Sequence, residues 1–151
     1  MISYDDIKRI DFFKDFTEDE LKAVQEICNE ENYSAGAIIF NEDDPALHLY
    51  VLKTGKVSTE IKIASGKYLS VLTLSNFAEP LGWSALVEPF RFTATARCVE
   101  DSTIFSIDAL KLMDLIKKDY RMGVLVMRRI ARLISERIRD TRLQLIHTFY
   151  G

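Results

Sequence analysis

Two histidines, His48 and His147, and two cysteines, Cys28 and Cys98, are the side chains whose types could ligate a metal or attack a substrate. A three-histidine site, or one of two histidines and a carboxylate, would need both histidines plus further ligands. The cysteines lie far apart, form no Cys-x-x-Cys and have no histidine close by. They read as small buried apolar residues rather than a redox pair. Metal catalysis is set aside on these grounds.

Arginine is the other type that could do chemistry, and charge is unevenly placed. Residues 1–32 hold ten acids and four bases, residues 33–120 eleven and nine, and residues 121–151 two and seven, so net charge runs from −6 through −2 to +5. The basic end is a candidate interaction surface. Seven arginines scattered around one helix read first as a solvated face, and second as an electrostatic contact for nucleic acid.

Local signals define the elements that must position any site. Thr17-Glu18-Asp19-Glu20 is a capping box in which Thr17 accepts from the Glu20 N–H and the Glu20 carboxylate returns the bond. It starts a short amphipathic helix carrying Leu21, Val24, Ile27 and Cys28. Ahead of it, Ile7, Ile10, Phe12, Phe13 and Phe16 form an apolar cluster read as a second packing helix or turn. From Tyr33 the pattern turns to β-branched and aromatic residues: Ile38 to Phe40, Leu47 to Lys53, Val57 to Ile63, Tyr68 to Leu74, Arg91 to Val99 and Thr103 to Ser106. Turns at Gly55 and Gly66 suit antiparallel hairpins. Val57, Thr59, Ile61 and Ile63 alternate with polar residues, so that strand should have one wet face. Asp108 is an N-cap for a helix with Leu110, Met113, Leu115 and Ile116. After it comes the longest periodic segment, with Met127, Ile130, Ile134, Ile138, Thr141 and Leu145 on one stripe. Such a helix outruns a small β domain, and its economical partner is its own copy in a two-fold dimer.

The chain has 151 residues, 48% hydrophobic and 28% charged, which fits one globular domain and excludes disorder and disulfide scaffolding. No apolar run is long enough to cross a bilayer, and the acidic N-terminus lacks the pattern of a secretory signal. A cytoplasmic protein without membrane contact is expected. The predicted fold is mainly β with helices (α+β): a double-stranded β-helix, or jelly-roll β-roll. N-terminal helices span about 1–32, the roll 33–107, and the C-terminal helices, including a long dimerisation helix, 108–147.

These features in this order resemble the cyclic-nucleotide-binding domain shared by catabolite-activator-type regulators, kinase regulatory subunits and nucleotide-gated channels. Glu31-x-Tyr33-x-x-Gly36-x-x-Ile39-Phe40 is similar to the family's opening strand. Asp44-Pro45 to Tyr50-Val51-Leu52-x-x-Gly55-Lys56-Val57 is similar to its next hairpin. Gly82-x-x-Ala85-Leu86 followed by Arg91 is similar to its phosphate-binding cassette, near 79–95. The resemblance implies a site of Gly82, Trp83, Ser84, Ala85, Arg91, Phe92 and Thr93. In that site a short helix from Gly82 and the Arg91 guanidinium hold a cyclic phosphate, with Ser84 and Thr93 adding hydroxyl donors. The ligand implied is cyclic AMP, cyclic GMP or an unidentified analogue, with no other cofactor and no metal.

Three departures qualify this. Trp83 stands where the family has a ribose-binding glutamate, and an indole offers no acceptor. Phe92 replaces a small residue beside Arg91. The usual turn glycine is missing from Leu74-Ser75-Asn76-Phe77. A second register, with Phe77-Ala78-Glu79 opposite the family's Phe-Gly-Glu, restores an acceptor at Glu79 but needs extra residues before Arg91, so the first is preferred. The chain stops at Phe149-Tyr150-Gly151 without a helix-turn-helix, so sequence-specific DNA binding is not expected. The leading expectation is a non-catalytic sensor signalling through a helical homodimer. Its rival is a degenerate domain, its pocket filled by Trp83 and Phe92, that serves as a dimerisation subunit or docks another protein. A cupin-type enzyme is a third reading that two isolated histidines disfavour.

Overall fold

The computed structural model describes residues 1–150. Helix α1 (Tyr4–Arg9) and a 3-10 turn (Asp11–Phe13) precede α2 (Glu18–Glu26). Eight strands follow: β1 (Cys28–Tyr33), β2 (Ile38–Phe40), β3 (His48–Thr54), β4 (Val57–Ala64), β5 (Lys67–Leu74), β6 (Pro80–Leu81), β7 (Thr95–Cys98) and β8 (Ser102–Asp108). A 3-10 turn, Trp83–Leu86, lies between β6 and β7, and helices α3 (Ala109–Lys118) and α4 (Tyr120–Tyr150) close the chain. The strands form two four-stranded antiparallel sheets, ordered β1-β8-β3-β6 and β2-β7-β4-β5, the jelly-roll arrangement expected.

The core explains which strands lack alternation. In β3 and β8, Leu49 to Leu52 and Ile104 to Ile107 are all buried, because inner faces meet the other sheet while outer faces lie under helices and loops. Phe105, for example, meets the edge of the Phe77 ring. Strand β4 departs from its expected wet face: Ser58 is buried and pairs with the Ser70 hydroxyl at 2.7 Å, whereas Ile63 is 62% exposed beyond the edge of the core.

Both helix caps form. Thr17 Oγ1 accepts from the Glu20 N–H at 3.2 Å, and Asp108 Oδ1 accepts from the Lys111 N–H at 3.0 Å. The return half of the capping box does not form, because the Glu20 carboxylate instead accepts from the Arg121 guanidinium at 2.5 and 3.0 Å. Arg129 Nη2 donates to Asp15 at 2.9 Å, so the acidic N-terminal segment is tied to the basic start of α4. Cys28 lies on β1 rather than on the preceding helix, paired opposite Ile107, so the roll begins five residues before Tyr33. Its thiol is pushed up to about 12 by burial, and burial raises Cys98 as well, so neither is a thiolate at neutral pH. The expected strand Arg91 to Val99 shrinks to β7, with Arg91 making only an isolated bridge to Pro45.

Among the described residues no helix is long and apolar enough to cross a membrane.

Candidate functional site

Strands β2, β4 and β5, the β6–turn segment and α4 together border a half-open cavity of about 340 Å³. Its walls are Phe40, Ile61, Val71, Leu72, Leu74, Pro80 and Leu81 with the hydroxyl of Thr59. Gly82, Trp83 and Ser84 close one end, Phe92, Thr93 and Ala94 one side, and Arg137, Asp140, Thr141 and Gln144 of α4 the roof.

Glycine at 82 is a steric requirement. Its φ is +73°, and a Cβ there would stand 3.1 Å from both the Phe92 and Tyr50 rings. The backbone therefore turns directly over an aromatic floor in which Phe92 stacks on Phe40, ring centroids 3.8 Å apart and planes 15° from parallel. Burial pushes the adjacent Tyr50 phenol up to about 12, so it stays neutral.

The roof depends on a strand irregularity. Thr59 pairs with Leu72 and Glu60 with Ser70, leaving Val71 as the extra residue of a bulge in β5. Its carbonyl accepts from Gln144 Nε2 at 3.0 Å, latching α4 to the sheet edge. Arg137 and Asp140 face each other on the same helix at 3.8 Å.

A family model for the cyclic nucleotide-binding domain matches residues 30–119. The chain belongs to the cyclic nucleotide-binding domain family. A solved structure from Geobacter metallireducens superposes with a TM-score of 0.81 at 24% identity, over 91% of this chain and 99% of that one. A cyclic nucleotide-binding domain from Methylobacillus flagellatus has a TM-score of 0.80 at 16% identity, over 98% and 83%. The catabolite activator protein of Thermus thermophilus has 0.71 at 24%, covering 89% of this chain and 61% of its own. No curated protein matches the sequence.

In this cyclic nucleotide-binding domain the cassette residues separate. Gly82, Trp83, Ser84, Phe92 and Thr93 meet at the cavity, whereas Ala85, within the turn, is buried and outside the lining. Arg91 is also outside. The 90–92 segment pairs with 43–46 through Ala46 N–H to Phe90 O (2.8 Å), Asp43 N–H to Phe92 O (2.9 Å) and Phe92 N–H to Asp44 O (3.1 Å). Successive side chains of such a ladder face opposite ways, so Phe92 points inward and Arg91 outward. The exposed Arg91 guanidinium donates to the Asp43 carbonyl at 2.6 Å. The structure thus sets the Arg91 guanidinium apart from Gly82, Ser84 and Thr93, which it was expected to join. The helix beginning at Gly82 is a single 3-10 turn of four residues.

Glu79 is occupied elsewhere. Its Oε2 accepts from the N–H groups of Ser75 and Asn76, both at 2.9 Å, and it lines a smaller groove of about 240 Å³ instead of the cavity. Just before it, Ala78 holds φ +71°, a left-handed conformation that suits glycine. Such strain costs an L residue about 1 kcal/mol. Ala78→Gly is accordingly expected to raise the melting temperature by about 2–4 °C, and an unchanged or lowered calorimetric midpoint would contradict it.

Of the α4 stripe, Ile130 is buried in its own domain and leaves the expected dimer seam, while Ile134 is half-buried and packed against the core. The cause is that the first turns of α4 lie on the domain through Met122, Val126, Ile130 and Leu133, a face at spacings of four, four and three. Met127, Ile138 and Leu145 remain exposed, and Thr141 sits at the cavity roof. Arg137, Asp140 and Gln144 are site residues that no motif marks. Their signal is spacing: with Thr141 they recur at three, one and three, one polar helix face.

Proposed function

We propose that this domain is a non-catalytic sensor: a small effector enters the cavity, and its contacts with α4 set the position of that helix within a homodimer. The supporting observation is that one cavity is walled by the cassette on one side and by α4 on the other. Beyond Ile134, residues 135–150 are exposed apart from half-buried Arg137, and Arg137, Asp140, Thr141 and Gln144 carry that half's contact with the cavity. An occupant can thus bias the set of the distal half without disturbing the core. Exposed Val124, Met127, Ile138 and Leu145, spaced three, eleven and seven residues apart, fall on one side of α4 and suit a second copy of the helix.

The rival docking-subunit reading requires Trp83 and Phe92 to fill the pocket. Phe92 instead lies flat on Phe40, and the space beside it is open.

Trp83 is the only tryptophan, so its indole N–H gives a single resonance at the site. Titrations with cyclic AMP, cyclic GMP and naphthol should shift that resonance for at least one probe below millimolar concentration. Ala94→Phe, which fills the cavity, should abolish the shift. No shift with any probe would overturn the sensor reading. Arg91→Ala should leave whichever affinity is found within about twofold, since an exposed charge outside the cavity is screened. A tenfold loss would return Arg91 to the site.

A further inference from the structure

We infer that the cavity takes an electrically neutral, largely apolar ligand and disfavours one carrying a phosphate. This inference rests on the sensor reading above and specifies its effector.

Charge is the first reason. The charged side chains among the lining residues are Arg137 and Asp140, one of each sign, 3.8 Å apart, so the site has no net positive charge to offer an anion. The nearby Arg91 is turned away onto the Asp43 carbonyl, and Arg97 is engaged with Glu60 at 3.3 Å. A phosphate placed against Val71 and Leu72 would lose water to a site whose one lining cation, Arg137, is already paired with Asp140, at a cost of several kcal/mol.

Shape and surface are the second reason. Ile61, Val71, Leu72 and Trp83 present apolar surface to the cavity, over the buried stack of Phe92 on Phe40. An apolar ligand, a naphthyl ring for example, gains by burying its surface against such side chains. The polar groups within reach are mostly neutral: the hydroxyls of Thr59, Ser84, Thr93 and Thr141 suit one or two hydrogen bonds to a hydroxyl or carbonyl. A volume of about 340 Å³ accommodates a ligand of a few rings at most.

The test is a matched pair, naphthol against naphthyl phosphate, with cyclic AMP alongside, each titrated against the full chain and read at the Trp83 indole N–H. Naphthol should bind at least tenfold more tightly than naphthyl phosphate, and cyclic AMP should be weaker than naphthol. Asp140→Asn uncovers the Arg137 charge and should narrow the naphthol preference by about tenfold. If that variant does not fold, the wild-type ratio decides alone. Naphthyl phosphate or cyclic AMP binding as tightly as naphthol would overturn the inference and leave the sensor reading intact. Silence of the Trp83 resonance toward all three would overturn both.

Discussion

Ile138→Glu should leave a monomer of 17.4 kDa where the wild-type chain scatters as a dimer at micromolar concentration. Ile138 is 48% exposed on α4, in line with Val124, Met127 and Leu145, so the substitution costs the isolated domain little. In the proposed dimer the exposed half of that side chain is withdrawn from water twice, once per copy, and each burial contributes about 0.7–1.5 kcal/mol. Two glutamates facing across a two-fold axis add repulsion. The lost burial alone, about 1.5–3 kcal/mol, raises the dissociation constant roughly ten- to a hundredfold, and the repulsion raises it further. Ile130→Glu is the contrasting case: that residue is 3% exposed in its own core, so the charge should unfold the domain rather than dissociate it. A wild-type mass of 17.4 kDa, or an Ile138→Glu mass equal to wild type, would remove the dimer.

A large stability effect is also expected at Gly55. Its φ of +103° already disfavours any side chain, and an added Cβ would meet Ser102 Oγ, lie 2.6 Å from Ser102 Cα and 2.7 Å from the Asp101 carbonyl. Ser102 is itself a junction: its hydroxyl accepts from the Lys56 N–H at 3.1 Å and donates to the Glu100 carbonyl at 2.8 Å. The β3–β4 turn is thereby held against the β7–β8 turn. Left-handed strain of about 1–2 kcal/mol, overpacking of about 1–3 kcal/mol and one weakened hydrogen bond of about 1 kcal/mol add to roughly 3–6 kcal/mol for Gly55→Ala. The melting temperature should fall by about 10 °C. Gly36, with φ +86° and nothing within 4 Å of a built Cβ, provides the control: Gly36→Ala carries the strain alone and should lose less than half as much. Equal losses at the two glycines would show that the Ser102 contact is not the cause.

What could be seen in the sequence was local, and what could not depended on contacts between distant segments. Thr17 and Asp108 announce their helices because a cap bonds only three residues onward. The Gly55 and Gly66 turns announce hairpins for the same reason. Cys28 continues the apolar stripe of Leu21, Val24 and Ile27 by spacing, yet it pairs opposite Ile107, and nothing near Cys28 discloses that partner. The same limit governs the site. Whether Arg91 or Phe92 faces inward is set by the ladder with residues 43–46, and a one-residue change in that pairing would exchange them. The α4 stripe reads as one surface until the domain claims Ile130 and, with the bulge at Val71, draws Gln144 to the cavity roof.

Hydrogen exchange along α4 examines the coupling between cavity and helix most directly. With naphthol bound at saturation, confirmed at the Trp83 resonance, amides of residues 135–148 should exchange at least tenfold more slowly than in the free protein. Those of residues 122–133, already packed on the domain, should not change. Occupancy at Trp83 with unaltered exchange over residues 135–148 would mean that the helix does not sense the cavity, and the proposed sensor would be contradicted.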